Sequence, residues 1–110
     1  LLGKEALIGA TCRTLADIEA AMAAGADHVG LGPIFTTRTK DVAHAPLGLE
    51  AFATIARASP LPVVGIAGVS LITIGEVAKA GAWCAAVAAD LLNAEDIAGQ
   101  ARALQAAFFA

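Results

Sequence analysis

The side chains best suited to chemistry stand together in one short run, Thr36-Thr37-Arg38-Thr39-Lys40, which follows an apolar segment. The run supplies three hydroxyls and two cations, and Gly32 and Pro33 shape the backbone before it. Hydroxyl and cationic groups on such a loop are typical of sites that bind a phosphorylated ligand. Arg13 also comes directly after an apolar segment, so positive charge gathers where these segments end. The pattern predicts a phosphate-binding loop in the long connection between residues 33 and 47.

Four apolar segments are predicted to form the strands that position this loop. None of them alternates between apolar and polar residues, which is typical of strands buried on both faces of a parallel sheet. Each is followed by apolar residues three or four positions apart, the pattern of a helix with one buried face. The predicted strands are residues 7–10, 28–32, 62–66 and 84–88, and one helix is expected after each.

Capping signals mark where these helices begin and end. Thr14 and Asp17 predict a capping box at the start of the first helix. N-caps are predicted at Ser70 and Asn93, and C′ glycines at Gly25 and Gly81. The tetrapeptides Ala-Gly-Ala-Asp and Ala-Gly-Ala-Trp around the two glycines form an internal repeat with two βα units in each period.

The alternation of strands and helices predicts an α/β fold, either an open doubly wound sheet or a TIM (β/α)8 barrel. The loops favour the barrel, because barrels place their chemistry at the carboxyl ends of the strands and commonly bind phosphate after strands seven and eight. Here those loops follow Ile66 and Ala88. A complete barrel takes roughly 200 residues or more, whereas this chain has 110, is 58% apolar and opens on Leu1. We therefore expect residues 1–110 to be a half-barrel of four βα units from a longer protein.

The overall composition excludes several other classes of function. The net charge is −3, so the surface as a whole has no attraction for nucleic acid or an anionic membrane. Cys12 and Cys84 fit neither a metal motif nor a disulfide pattern, as expected in a reducing cytoplasm. No signal peptide is recognisable, and the longest apolar run is far shorter than the roughly 20 residues that span a bilayer. These features predict a cytoplasmic protein.

The segment Gly32-Pro33-Ile34-Phe35-Thr36-Thr37-Arg38-Thr39-Lys40 resembles the GPxFxTxTK loop of the thiamine phosphate synthase family. Three more motifs match that family in the same order along the chain: Ile8-Gly9-Ala10-Thr11 is similar to IGxS, Leu47-Gly48-Leu49 to LGL, and residues 62–69 to PVVAIGGI. The resemblance covers nearly the whole chain. It implies that residues 1–110 are strands five to eight, the C-terminal half of a thiamine phosphate synthase-like TIM barrel.

The resemblance implies a transferase that joins hydroxymethylpyrimidine diphosphate to thiazole phosphate, with release of pyrophosphate and with magnesium present. Lys40 matches the lysine that contacts the diphosphate, so it is expected to be the leading catalytic residue. An ammonium aimed at developing negative charge contributes on the order of 10²–10³ in rate. Thr11 stands where the family has a serine at the same diphosphate, and it retains the hydroxyl.

The thiazole phosphate site is implied by a second set of matches. Thr37 and Thr39 match the pair that lines this site, and Arg38 between them is expected to contribute backbone contacts. Gly68 matches the glycine whose bare backbone approaches the phosphate, before a helix N-terminus that favours anions.

Three features depart from the family pattern at the ends of the last two strands. Ala88 and Ala89 replace a pair that carries a hydroxyl, which removes a hydrogen bond worth roughly 1.5–3 kcal/mol when the partner is charged. Ala67 replaces the first glycine of the usual pair. Asp90 places a carboxylate close to the expected phosphate, which it would repel unless the side chain turns outward or caps a short helix.

The resemblance also implies what this chain lacks. The magnesium aspartates and the residues that hold the pyrimidine belong to the first half of the family's barrel, so the Mg²⁺ ligands are expected there. Asp41 follows Lys40, but one carboxylate is weak evidence for a metal site. Two open strand edges and an apolar face predict association with an N-terminal half-barrel or with another copy.

Two other functions are consistent with the sequence. A noncatalytic half-barrel that binds phosphate or thiazole phosphate is favoured by the absent half, by Ala88 and Ala89, and by Asp90. A thiazole tautomerase shares the fold, but it is expected to carry a histidine where this chain has Pro33. Simpler interpretations are a surface loop at Cys12 and Arg13 and a packing role for His28, while His44 has no supported role.

Overall fold

The computed structural model describes residues 3–36 and 45–110 of the chain. In these ranges four strands form one sheet in the order β1-β2-β3-β4, and each neighbouring pair is parallel. The strands are β1 Gly9–Cys12, β2 His28–Leu31, β3 Val63–Gly65 and β4 Cys84–Ala85. Parallel neighbours require a crossover connection, which the helices supply. The α/β prediction with a parallel sheet is confirmed.

Five helices connect or follow the strands in the described residues: α1 Leu15–Ala23, α2 Leu49–Ala58, α3 Ile74–Lys79, α4 Ala89–Leu92 and α5 Ile97–Phe108. Two helices follow β4 where one was expected. Asn93 ends α4 as its C-cap, and the side chain of Asp96 caps α5 by accepting from Gly99 N. The N-cap predicted at Asn93 is therefore wrong. The N-cap predicted at Ser70 is also wrong, because α3 begins at Ile74 and its N-cap is Thr73.

The predicted strand bounds are wrong at both edges of the sheet. β1 begins at Gly9 rather than at residue 7, and before it the Ile8 N–H donates to the Asp27 carboxylate at 2.8 Å. β4 ends at Ala85 rather than at residue 88. Its neighbour β3 ends at Gly65, the partner of Ala85, so the chain leaves the ladder there and turns into α4.

The helices cover one face of the sheet. In β2, Val29 and Leu31 are fully buried among helix side chains, whereas His28 and Gly30 on the opposite face are only half-buried. The same alternation occurs in β3, where Val64 is less buried than its neighbours. The expectation that both faces are buried is therefore wrong for this chain alone. The less covered face is the one that would line a barrel.

In the core between the sheet and the helices, several apolar side chains pack closely against Gly65. A Cβ at this residue would lie 2.8 Å from Val77 Cγ1 and 3.0 Å from Ile34 Cδ1. The ring of Phe52 comes within 3.4 Å of the same point and is completely buried. Because Gly65 has no side chain, α2 and α3 pack directly against β3.

The start of α1 is held by the predicted capping box. Thr14 Oγ1 accepts from Asp17 N at 3.1 Å, and the Asp17 carboxylate accepts from Thr14 N at 3.2 Å and from Arg13 N at 3.0 Å. The hydrogen bond from Arg13 N is the largest of the effects that hold the pKa of Asp17 below its usual value. The capping box predicted from Thr14 and Asp17 is confirmed, as are the C′ glycines Gly25 and Gly81 with positive φ.

Replacing Asp17 by asparagine is expected to make stability less dependent on pH in the acid range. A carboxylate with a lowered folded-state pKa stabilises above its unfolded pKa, about 3.9, and loses this effect as the pH falls through the lowered value. The wild-type chain should therefore have the higher Tm at neutral pH, and the difference should shrink below about pH 4. Thermal unfolding of both proteins between neutral and strongly acid pH measures it, and a difference independent of pH would contradict the assignment.

Large apolar side chains are exposed at the two outer strands. Leu7, just before β1, is 80% exposed, and Trp83, just before β4, is 69% exposed. Between β4 and α5 lies an open, mainly apolar cleft of about 350 Å³, bordered by Phe109, which is 75% exposed. In the described part of the chain, no helix is long and apolar enough to cross a membrane.

Candidate phosphate-binding site

The loops after the four strands meet at one end of the sheet, because parallel strands share the direction of their carboxyl ends. Thr11 was expected just after the first strand, but it lies inside β1 and pairs in register with Gly30. Residues in register share a face of the sheet, so Thr11 stands on the face opposite the buried Cys12. Its exposed hydroxyl is therefore on the less covered face, near the carboxyl end of β1.

Gly68 lies directly against the start of the hydroxyl-rich loop. Its φ is +77°, and a Cβ there would lie 2.8 Å from Phe35 Cβ and 2.9 Å from the Thr36 carbonyl oxygen. Phe35 N also donates to the Ala67 carbonyl at 3.3 Å. The chain entering the loop and the loop after β3 are therefore in contact. The predicted site residues Thr37, Arg38, Thr39 and Lys40 follow at once, and they lie outside the described residues together with Asp41 and His44.

The chain returns from that segment beside Arg13. Both terminal nitrogens of the Arg13 guanidinium donate to the Ala45 carbonyl, at 3.3 and 3.2 Å. Leu47 N donates to the Pro33 carbonyl at 2.7 Å. Arg13 therefore has a structural role beyond that of a surface loop residue, because its side chain holds Ala45, near the end of the long connection, against the end of β1.

Cys12 is not a surface loop residue either. Its side chain is 3% exposed and belongs to the core, so the predicted loop position is wrong. Burial raises the pKa of the Cys12 thiol, and the nearby Asp17 carboxylate raises it further. A buried thiol with a raised pKa is a poor nucleophile. The packing role expected of His28 agrees with its half-buried ring, which occupies the space that a Cβ on Gly9 would need.

Ala67 adopts a backbone conformation that favours glycine. Its φ is +72°, the one positive φ at a non-glycine residue in the described ranges. Left-handed backbone costs an L-residue roughly 1–2 kcal/mol. Alanine in place of the usual glycine at position 67 therefore lowers the stability of the fold at the residue next to Gly68.

Ala88 and Ala89 stand at the predicted end of the last strand and are exposed. Ala88 is the N-cap of α4 and makes no side-chain capping bond, and Ala89 is the first residue of the helix. Their methyl groups offer only backbone to a ligand. The start of α3 is also less direct than expected, since the turn Ser70–Thr73 separates Gly68 from that helix.

The Asp90 carboxylate is engaged by protein donors. Its Oδ2 accepts from Leu71 N at 2.8 Å and from Gln100 Nε2 at 3.0 Å. Sequence reasoning missed both partners, and also the bond from Arg13 to Ala45. The only sequence signal was an acidic residue at the start of a helix, which is common for reasons unrelated to a site.

Residues 3–36 and 45–110 contain no group of three or more His, Cys, Asp or Glu side chains that could hold a metal ion. A magnesium site does not fit the donors in this part of the chain. The chemistry that these residues can support is anion binding by backbone N–H groups and hydroxyls at the carboxyl ends of the strands.

Replacing Gly68 by alanine is expected to weaken binding of a phosphate-bearing ligand at this loop about tenfold or more and to lower the free energy of unfolding by about 2–3 kcal/mol. The new methyl group would meet both Phe35 and the Thr36 carbonyl at less than ordinary contact distance. Gly25→Ala is the matched control, because Gly25 has φ +102° with open space around a Cβ. It should cost about 1–2 kcal/mol and leave affinity unchanged. Equal effects of the two changes on affinity would show that the contact of Gly68 with Phe35 and Thr36 does not matter for binding.

The sequence of this chain matches a known protein family and its members. The model of the thiamine monophosphate synthase family matches residues 1–91. The chain is 57% identical over 108 residues to the thiamine-phosphate synthase of Myxococcus xanthus, covering 98% of this chain and 50% of that protein. For the thiamine-phosphate synthase of Anaeromyxobacter dehalogenans, the identity is 52% over 108 residues, with 98% and 49% covered.

A solved structure gives the same result for the fold. Thiamine phosphate pyrophosphorylase from Pyrococcus furiosus superimposes with a TM-score of 0.82 at 30% identity, covering 94% of this chain and 48% of that one. The prediction of half a TIM barrel is confirmed. The chain spans about half the length of the curated relatives that it matches.

Proposed function

The chain belongs to the thiamine monophosphate synthase family, and from that premise we propose that it forms the phosphate-binding half of a thiamine phosphate synthase. The reaction would join hydroxymethylpyrimidine diphosphate to thiazole phosphate and release pyrophosphate. The observation that carries the proposal is the contact of Gly68 with Phe35 and Thr36. It puts the loop after β3 beside the residue that directly precedes Thr37, Arg38, Thr39 and Lys40 in the chain.

Lys40 and Thr11 would act on the diphosphate. The bond between the pyrimidine methylene carbon and the diphosphate oxygen breaks, and that oxygen takes the electron pair. The thiazole nitrogen then donates its pair to the carbon, so pyrophosphate is the leaving group and no redox partner is needed. The Lys40 ammonium stabilises the charge that develops on the leaving oxygen. The Thr11 hydroxyl, on the less covered face of β1, donates to the same diphosphate.

The thiazole phosphate would lie between the two loops that follow β3 and β4. Thr37 and Thr39 supply hydroxyls, and Arg38 supplies backbone contacts. Gly68 is exposed and has no side chain, so its backbone is accessible to the phosphate. Ala88 and Ala89 contribute only backbone contacts. Binding is therefore weaker, by roughly 10–100-fold, than in a family member that has a hydroxyl at this position.

A second half-barrel would complete the site. The outer edges of β1 and β4 have no neighbouring strand among the described residues. The apolar cleft between β4 and α5 lies at one of these edges, and Leu7 and Ile8 are exposed at the other. Apolar surface at two unpaired edges favours pairing with further strands. We propose an N-terminal half-barrel as the partner, with self-association when it is absent.

Magnesium and location are further parts of the proposal. The Mg²⁺ ligands would belong to the half of the barrel that this chain does not span, so no step above passes through the metal. Both Cys12 and Cys84 are free thiols. Free thiols are typical of a reducing compartment, which favours the cytoplasm.

The test is formation of thiamine phosphate by the reconstituted barrel. The 110-residue chain is combined with the half of the Myxococcus xanthus synthase that it does not match, and both substrates and magnesium are added. Product is measured by fluorescence after oxidation. Formation that requires both polypeptides supports the proposal. Tight binding of thiazole phosphate by a folded complex without product would instead favour a binding module, the alternative that Ala88 and Ala89 support.

A further inference from the structure

One carboxylate oxygen joins three separate segments at the carboxyl end of the sheet. Asp90 Oδ2 accepts from Leu71 N at 2.8 Å and from Gln100 Nε2 at 3.0 Å. Leu71 lies in the loop after β3, Asp90 lies in α4 after β4, and Gln100 lies on α5. The same amide of Gln100 also lies 3.5 Å from the Asp90 carbonyl oxygen. These bonds hold the two strand-end loops at a defined separation.

On the β3 side, Leu71 belongs to a turn with strong internal bonds. The Ser70 carbonyl accepts from Thr73 N at 3.1 Å and from Ile74 N at 2.8 Å, and Ser70 N donates to Thr73 Oγ1 at 3.0 Å. Leu71 N points out of this unit toward Asp90. Gly68 stands just before the turn, so a constraint on Leu71 also constrains Gly68.

On the β4 side, α4 packs against the core through Leu91, which is only partly buried. The helix has four residues, none of its side chains is fully buried, and its N-cap Ala88 makes no side-chain bond. Segments with few buried apolar contacts open readily unless another interaction holds them. Asp90 directly follows Ala88 and Ala89, so its bonds to Leu71 and Gln100 supply such an interaction.

We infer that Asp90 is a positioning residue for the phosphate site, which it serves without touching the ligand. The inference rests on the proposed function, because it assigns Gly68 and the pair Ala88 and Ala89 to one thiazole phosphate. If Asp90 is lost, only a fraction of molecules holds the two loops at the binding separation. The apparent affinity falls in proportion to the fraction of molecules that still holds the binding separation. A charge-assisted hydrogen bond shifts such an equilibrium roughly 10–100-fold.

The experiment measures the dissociation constant for thiazole phosphate by ³¹P NMR titration of the chain and its variants, each reconstituted with the half of the Myxococcus xanthus synthase that the chain does not match. Asp90→Ala should raise the constant about tenfold or more. Asp90→Asn keeps an oxygen that accepts from Leu71 N, so it should restore affinity to within about threefold of wild type. Asp96→Ala is the matched control: it removes a carboxylate that caps α5 through Gly99 N, and affinity should not change.

A second variant removes the donor in place of the acceptor. Leu71→Pro deletes the N–H that donates to Asp90, at the second residue of the turn Ser70–Thr73, a position where proline is tolerated. It should weaken binding as much as Asp90→Ala does. If Asp90→Ala does not fold, Leu71→Pro tests the inference in its place. Amide hydrogen exchange at Leu71 should accelerate in Asp90→Ala and stay near wild type in Asp90→Asn.

Three outcomes would overturn the inference in different ways. Tighter binding in both Asp90→Ala and Asp90→Asn would mean that the carboxylate merely repels the phosphate. Unchanged affinity in Asp90→Ala, with faster exchange at Leu71, would mean that the bond exists but does not position the site. Absence of binding by the folded wild-type complex would overturn the proposed phosphate site itself, and the positioning role with it.

Discussion

Lys40→Ala is expected to lower the rate of thiamine phosphate formation by the reconstituted barrel on the order of 10²–10³-fold. Departure of pyrophosphate concentrates negative charge on the leaving oxygen, and an ammonium placed there stabilises the transition state more than the ground state. The fall should therefore be in kcat, with a smaller change in KM for the pyrimidine diphosphate. Steady-state rates with saturating thiazole phosphate measure both.

The matched control for this change is Lys79→Ala. Lys79 lies on α3, is exposed, and approaches Glu76 at 3.9 Å. An exposed ion pair of this kind contributes little, so the rate should stay within about twofold of wild type. Equal losses in the two variants would show a general effect of charge. An unchanged rate in Lys40→Ala would remove Lys40 from the mechanism and leave the binding-module alternative.

The largest expected effect on stability is that of Phe52→Ala, at about 3–5 kcal/mol. The Phe52 ring is completely buried and packs beside Gly65, within 3.4 Å of the position that a Cβ there would take. Its removal leaves a cavity at the contact of three elements. Small domains have only about 5–15 kcal/mol of stability in total, so the variant should unfold at a much lower urea concentration than the wild type. The midpoint of urea unfolding measures the loss.

Phe109→Ala is the comparison that isolates burial. Phe109 is the same type of residue, is 75% exposed, and contacts the Phe108 ring edge-on at 5.0 Å between centroids. Its removal should cost no more than about 1 kcal/mol in the monomer. A similar cost for both phenylalanines would contradict the assignment of Phe52 to the core.

Sequence patterns predicted the elements of this fold well where the signal is local. The capping box of Thr14 and Asp17 involves residues three apart, and the chain alone determines whether they meet. Apolar runs likewise marked all four strands, because a buried strand needs such a run wherever it lies. The bounds of β1 and β4 were less predictable, since they depend on which residues have a neighbouring strand.

Bonds between distant segments could not be predicted from the sequence. The bond of Asp90 to Leu71 N depends on how α4 sits relative to the loop after β3, and any residue at position 71 other than proline would offer the same donor. Arg13 and Ala45 are similar, because the acceptor is a backbone carbonyl. The sequence located Thr11, Gly68, Ala88 and Ala89 through motifs, and the roles of these residues and of residues 37–40 stay predictions.

The exposed Trp83 gives the chain an optical signal just before β4, the strand at one outer edge of the sheet. It is the only tryptophan in a protein without tyrosine, so the near-ultraviolet fluorescence of the chain comes almost entirely from this one ring. The ring is 69% exposed and its backbone is fixed by a 2.8 Å bond from Trp83 N to the Val63 carbonyl. A polypeptide that covers β4 would move the indole from water to an apolar surface and shift its emission to shorter wavelength. Assembly at this edge can therefore be followed in solution without a label.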